Sequence, residues 1–386
     1  MMPERIFRSP STIHVGQNSA LQTGPALKRL GVSKALVVTD NFLATSGTIA
    51  PILDSLKDSG ISVAVYSQVN SEPTLAHVTE CLEMLRANGC EAVIGCGGGS
   101  PIDVAKAVSA LSTNKGKIQD YMGIDKLPLK GVPIVAIPTT AGTGSEATST
   151  TIITDTENDV KMLIISPWLM PTAAIVDPML TLGMPKGITA ATGLDALTHA
   201  IEAYVSRRAQ PMTDMLALNA IRLITQNLPK AWAEPANIEA RANTLLGALQ
   251  AGMAFSNSSV ALVHGMSRPI GAIFHVPHGV SNAALLGVVT NFSLEGAYAR
   301  YADVAVAMGV KDLGAVEKTA KAGADKVSEM IRNLEIPGLA KLGVTREKLD
   351  QVVSKMADDA IASGSPGNNP RIATKDEIIK LYYEAL

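Results

Sequence analysis

Four short, nearly continuous apolar runs, residues 35–39, 61–66, 92–96 and 132–137, recur through the first part of the chain, and segments of helical length separate them. Strands apolar on both faces are buried on both faces, which requires helices on each side of a parallel sheet. The separating segments, roughly 48–59, 74–88 and 101–111, supply those helices. Residues 151–154 and 161–165 flank a polar turn and read as a hairpin, and 173–177 reads as one more strand. Beyond Pro185 strand-like runs become scarce, and 190–206, 212–227 and 238–256 carry helical length and periodicity. The expected organisation is an α/β domain over 1–184 and an all-helical domain over 185–386. Ligands of open parallel sheets bind outside the carboxyl ends of the strands. Chemistry is therefore expected in the loops after Thr39, Cys96 and Ile137.

Composition excludes several classes. The 33 Lys plus Arg stand against 35 Asp plus Glu, so the basic excess of a nucleic-acid binder is missing. No apolar run approaches the roughly 18–20 residues of a membrane span, and the first residues do not read as a secretory signal. Cys81, Cys90 and Cys96 form an odd set without a C-x-x-C pair. That pattern argues for buried thiols in a reducing, cytoplasmic setting and against disulfides or a structural zinc site.

The segment Gly95-Cys96-Gly97-Gly98-Gly99-Ser100-Pro101-Ile102-Asp103 follows one of these strands and opens a helix. Glycines let the backbone approach a ligand closely, and free N–H groups at a helix start attract anions. Ser100 is expected as the N-cap, with Pro101 at the first helical position and Asp103 completing a capping box. So placed, the loop reads as a cradle for a dinucleotide pyrophosphate, with sugar phosphates and mononucleotides as further ligands of that class, or else as a glycine-rich turn that serves packing alone. It is not the usual G-x-G-x-x-G and does not follow the first strand. A second loop, 138–146, is rich in hydroxyls that suit ribose and phosphate contacts, and it equally suits a plain connector. Asp40 closes the first strand, where it either accepts ribose hydroxyls or caps the following turn.

Four of the six histidines, His199, His264, His275 and His278, fall in the helical half, whereas His14 and His77 lie elsewhere and read as structural. Asp195 and His199 stand four apart on one helix face. A carboxylate with imidazoles binds a borderline divalent ion such as iron(II) or zinc, although such a pair is more commonly a surface or capping contact.

In order along the chain, Gly97-Gly98-Gly99-Ser100 with Asp103 and Lys106, the loop from Pro138 to Glu146, Gly193 to Glu202, His264-Gly265-Met266 and Pro277-His278-Gly279 resemble the motifs of the iron-containing (group III) alcohol dehydrogenases. The likeness runs from about residue 5 to 385. It implies the plan shared with dehydroquinate synthase-like enzymes: an α/β dinucleotide-binding domain, an all-α metal-binding domain, and an active site in the cleft between them. It implies metal ligands at Asp195, His199, His264 and His278, holding Fe2+ first and Zn2+ as the alternative. NAD(H) contacts would fall on Asp40, Gly97, Gly98, Gly99, Ser100, Thr139, Thr140, Thr143 and Lys161. The implied reaction interconverts a short-chain primary alcohol and its aldehyde, through a metal-stabilised alkoxide and hydride transfer, in a homodimer or higher homo-oligomer.

Two positions depart from the family pattern. Glu72-Pro73-Thr74 stands where relatives often carry Asn-Pro-Thr. Arg268 stands four residues after His264, where many relatives carry histidine. An arginine cannot shuttle a proton at neutral pH, but it grips anions bidentately. Arg268 therefore either clamps an aldehyde bearing a sulfonate, carboxylate or phosphonate at the catalytic centre, or packs away or pairs with an acid. His275 matches no ligand position. Rival readings are a polyol dehydrogenase, a lyase or cyclase of the dehydroquinate synthase type, and a non-catalytic nucleotide-sensing protein. The intact ligand set favours the dehydrogenase.

Overall fold

In the computed structural model, which describes residues 4–158 and 160–386, the strands are β1 (Thr12–Val15), β2 (Lys34–Val38), β3 (Ser62–Tyr66), β4 (Ala92–Gly97), β5 (Gly123–Ile124), β6 (Ile134–Pro138), β7 (Thr150–Asp155), β8 (Val160–Ile165) and β9 (Ala173–Val176). Six of them make one sheet in the order β1-β9-β6-β4-β2-β3, with every pairing parallel. Alternate residues of β2 face opposite layers. Leu36 and Val38 join Val93 against Val78, Cys81 and Val104, while Ala35 and Val37 join Ile94 against Leu27, Ile52 and Leu56. Those partners come from α1 (Thr23–Arg29), α3 (Ala50–Asp58), α4 (Leu75–Ala87) and α5 (Gly99–Thr113), with the short α2 (Asn41–Thr45) following β2. The three thiols are free and buried in these layers.

From β2 the chain steps to β3 on one side and then returns to β4 on the other. The strand order therefore reverses between β2 and β4, and in open α/β sheets the ligand crevice lies at such a switch point. The residues at its rim are Thr39-Asp40 and Gly97-Gly98-Gly99.

Two features depart from the sequence reading. The edge strand β1 was not anticipated; four residues beside a Ser/Pro-rich stretch give little signal, and their partner β9 lies more than 150 residues away. The expected hairpin β7–β8 forms, but β5 joins it, making a separate three-stranded sheet.

The chain divides into two compact units, Arg8–Gly183 and Met184–Leu386, and the described residues before Arg8 belong with the second. The second unit is helical: α6 (Lys186–Val205), α7 (Pro211–Ala233), α8 (Ile238–Asn257), α9 (Leu262–Phe274), α10 (His278–Ser293), α11 (Tyr298–Ala307), α12 (Val316–Asn333), α13 (Arg346–Ala362) and α14 (Lys375–Glu384), with short 3-10 turns. Nearly every residue of α6 from Thr189 onward is buried, as expected of a helix apolar on most faces. Among the described residues no helix is long and apolar enough to cross a membrane.

Candidate active site

Helical periodicity puts Asp195, His199 and Glu202 on one face of α6. His264 comes from the first turn of α9 and His278 opens α10. Gly279 lets α10 approach α6 closely, because a Cβ there would lie 3.0 Å from the Ala191 carbonyl oxygen and 3.5 Å from Asp195 Cβ. His275, exposed at φ +55°, ends α9 in the left-handed conformation just before α10 begins. It is thus a turn residue, as its absence from the expected ligand set suggests.

One ligand atom from each of Asp195, His199, His264 and His278 lies within 4.8 Å of all the others. His264 Nε2 is 3.8 Å and His278 Nε2 4.0 Å from Asp195 Oδ1, and His199 Nδ1 is 4.0 Å from Asp195 Oδ2. His199 stacks between Phe255 and His264, at centroid distances of 4.3 and 4.4 Å. The cluster is open on one side: the His278 side chain is 44% exposed, against 2% for Asp195. Buried His199 Nδ1 has no hydrogen-bond partner among the described residues. One carboxylate, three imidazoles and an orphaned nitrogen suit a divalent ion of the iron or zinc class.

Charge and burial prepare these groups. Burial, then the neighbouring His199 and His278, hold the His264 imidazole well below its ordinary range, so it stays neutral. Burial pushes the Asp195 carboxyl up, but His199, His278, His264 and the Asn282 amide outweigh it and leave it below the usual range. Asp195 is therefore an anion beside the neutral His264 imidazole.

Two residues complete the cluster, and spacing alone did not single them out. Glu202 Oε2 accepts from His264 Nδ1 at 2.6 Å and from the Ala261 N–H at 2.9 Å, while Oε1 accepts from the Val263 N–H at 2.6 Å. This carboxylate thus caps the start of α9 and fixes the His264 tautomer, leaving the Nε2 lone pair toward Asp195. Burial nevertheless pushes the Glu202 carboxyl up to about 7. The available signal was its place seven residues after Asp195 on the same helix face. Asn282, four residues after His278, places Nδ2 2.6 Å from Asp195 Oδ1 and 3.1 Å from both His264 Nε2 and His278 Nε2.

In the α/β unit, the glycine loop and the Thr-rich loop come together. The Thr139 N–H donates to the Gly97 carbonyl at 2.9 Å. Added Cβ atoms at Gly98 and Gly99 would lie 3.7 Å from Thr140 and 3.1 Å from Thr143. At Gly97, φ +150° and a 2.7 Å clash with the Pro101 ring exclude any side chain. The capping expectation needs correction. α5 starts two residues earlier, with Gly98 at the N-cap and no side-chain cap, so Ser100 and Pro101 already lie inside the helix. Asp103 turns away from the helix start, accepting from Ser145 Oγ at 2.7 Å and the Ile152 N–H at 3.1 Å. The uncapped start leaves its N–H groups available to an anion.

Asp40 caps α2, its Oδ1 accepting from the Leu43 N–H at 2.8 Å, so the cap reading is realised. Its Oδ2 makes no hydrogen bond with a described residue. Lys161, expected to touch cofactor, pairs with Glu72 at 2.5 Å, the residue that departs from the family pattern. His14 contacts Arg29 and His77 completes the capping box of α4, both structural as read. Arg268 is half-buried one turn beyond His264 and has no ion pair or hydrogen bond with a described residue. Burial lowers its guanidinium and the Glu202 charge opposes that, although both Glu202 oxygens are already engaged.

Residues 10–178 match the model of the iron-containing alcohol dehydrogenases, and residues 189–386 match that of the Fe-containing alcohol dehydrogenase family, C-terminal. An NAD-dependent methanol dehydrogenase from Bacillus methanolicus is 37% identical over 98% of this chain and 99% of its own. The crystal structure of a 1,3-propanediol oxidoreductase superposes with a TM-score of 0.97 at 36% identity, covering 100% of both chains. That of a sulfoacetaldehyde reductase from Bifidobacterium kashiwanohense, in complex with NAD+, gives 0.90 at 32% identity, covering 100% of this chain and 99% of the other. With matched models over both units and relatives aligned nearly end to end, the chain belongs to the iron-containing alcohol dehydrogenase family.

Proposed function

We propose that the protein is a metal-dependent, NAD(H)-linked alcohol dehydrogenase and aldehyde reductase acting on short-chain primary alcohols. The observation that carries this reading is the convergence of Asp195, His199, His264 and His278 into one cluster reached by solvent from the His278 side. Bound there, Fe2+, or Zn2+ in its place, would polarise the alcohol or carbonyl oxygen as a Lewis acid. Asp195 supplies the cluster's negative charge, and Glu202 keeps the His264 Nε2 lone pair pointed inward. The N–H groups after Gly97, Gly98, Gly99 and Ser100 receive the pyrophosphate, with Thr139, Thr140 and Thr143 beside them. Asp40 Oδ2 accepts ribose hydroxyls while Oδ1 keeps its cap, an arrangement that repels a 2′-phosphate and favours NAD. Lys161 joins the cofactor contacts by leaving Glu72; a partly exposed ion pair costs little to break. Three free buried thiols support a cytoplasmic location, and family resemblance supports a homodimer or higher homo-oligomer.

Arg268 favours a second reading, in which the aldehyde carries a sulfonate, carboxylate or phosphonate. A half-buried guanidinium without a hydrogen-bond or ion-pair partner among the described residues is completed by an anion from outside. The test is NADH oxidation by anaerobically iron-loaded protein with matched neutral and anionic aldehydes. Preference for the neutral aldehyde supports the first reading. Preference for the anionic one, abolished in Arg268→Ala, supports the second. Failure to turn over either overturns both.

A further inference from the structure

Asn282 is fully buried on α10, and its side chain lies at the centre of the proposed metal cluster. Asn282 Nδ2 lies 2.6 Å from Asp195 Oδ1 and 3.1 Å from each of His264 Nε2 and His278 Nε2, and its two N–H bonds serve the Asp195 carboxylate and the His264 lone pair. The orientation of the amide follows from chemistry. The His264 Nδ1–H is committed to Glu202, so its Nε2 carries a lone pair. Turning the amide over would set a carbonyl oxygen against that lone pair and a carboxylate. The NH2 group must face inward, although this leaves Asn282 Oδ1 buried with no hydrogen-bond partner among the described residues. A buried carbonyl left unsatisfied is the mark of a side chain held by its other end.

We propose that Asn282 is a resident cation surrogate: its amide nitrogen holds Asp195 and His264 together beside His278 until an entering divalent ion displaces it. The inference rests on the metal reading of this cluster. Each lone pair serves either an N–H or a metal ion, so the amide competes with the ion for Asp195 Oδ1 and His264 Nε2. Asn282 therefore preforms the ligand geometry and weakens metal affinity, because binding must first break its hydrogen bonds.

The test uses the full-length protein with Co2+ as probe, before and after chelator treatment. Affinity is read by competition with a chromophoric chelator, and thermal midpoints are read for both forms. In Asn282→Ala the metal-free midpoint falls by several degrees while the cobalt-loaded midpoint stays put, and the Kd for Co2+ falls about tenfold. Asn282→Asp keeps the shape but replaces the donor by another acceptor, so both changes grow. Equal loss of both midpoints with unchanged Kd overturns the inference, making Asn282 a packing residue. A tenfold rise in Kd for Asn282→Ala also overturns it, because the amide then serves as a ligand. If wild-type protein binds no stoichiometric Co2+, the metal reading itself fails.

Discussion

Around Lys106 in the α/β unit, Ser145 Oγ, Thr148 Oγ1 and the carbonyls of Thr148 and Thr150 converge on one ammonium at 2.8–3.1 Å. Around Asp195 in the helical unit, a carboxylate oxygen and two imidazole nitrogens converge on an amide nitrogen. Both are buried knots of acceptors, but the first contains a covalently attached cation. A lysine cannot leave, so its knot serves architecture: with Asp103, it ties α5 to the loop running from Ser145 to Ile152. An amide carries no charge and is displaced by one that does. Its knot serves exchange. The same physics of converging lone pairs thus yields a structural rivet in one unit and a candidate ion site in the other.

The largest expected effect breaks the rivet. Lys106→Met leaves four acceptors facing an apolar chain and removes the cation near Asp103 and Glu146, a loss of about 3–5 kcal/mol. Urea unfolding measures it, and NADH affinity should fall as the Thr139–Ser145 loop loosens, while bound metal per folded chain stays unchanged. A loss below about 1 kcal/mol would make the two knots equivalent.

A smaller effect sharpens the comparison through pH. Burial pushes the Glu146 carboxyl up to about 7, and neither of its oxygens has a hydrogen-bond partner among the described residues. Between the ordinary carboxylate range and pH 7 the native state holds this proton more tightly than the unfolded chain, so its contribution falls as pH rises through that window. Glu146→Gln does not titrate. Its stability relative to wild type should improve by about 1–2 kcal/mol from pH 5 to pH 8. A pH-independent difference in unfolding free energy would show that Glu146 is not held protonated by the fold.

Legibility in the sequence follows the range of the forces involved. The strands other than β1 and β5, and the Asp195/His199 pair, are local patterns, one of apolar runs and one of helical period, and both are readable. That His264 and His278 join that pair depends on how α9 and α10 dock. Spacing only made them suggestive, and family resemblance supplied the assignment. Glu202 was visible on the α6 face, but its task arises where α9 begins, roughly 60 residues later. Ser100 was misread because a serine before Pro101 is a good cap by propensity; the chain instead starts α5 at glycines, where the uncapped N–H groups suit an anion. Asn282 carries no motif, and only three converging distances reveal it.

The central claim is that the four-residue cluster holds a divalent ion on which NADH-linked turnover depends. The most direct measurement is iron per chain alongside aldehyde-dependent NADH oxidation, in anaerobically loaded wild type and His264→Ala. One ion per chain is expected in wild type. In the variant, iron should be near zero and turnover should fall at least about a thousandfold, with NADH binding intact. Full turnover by metal-free His264→Ala would contradict the account.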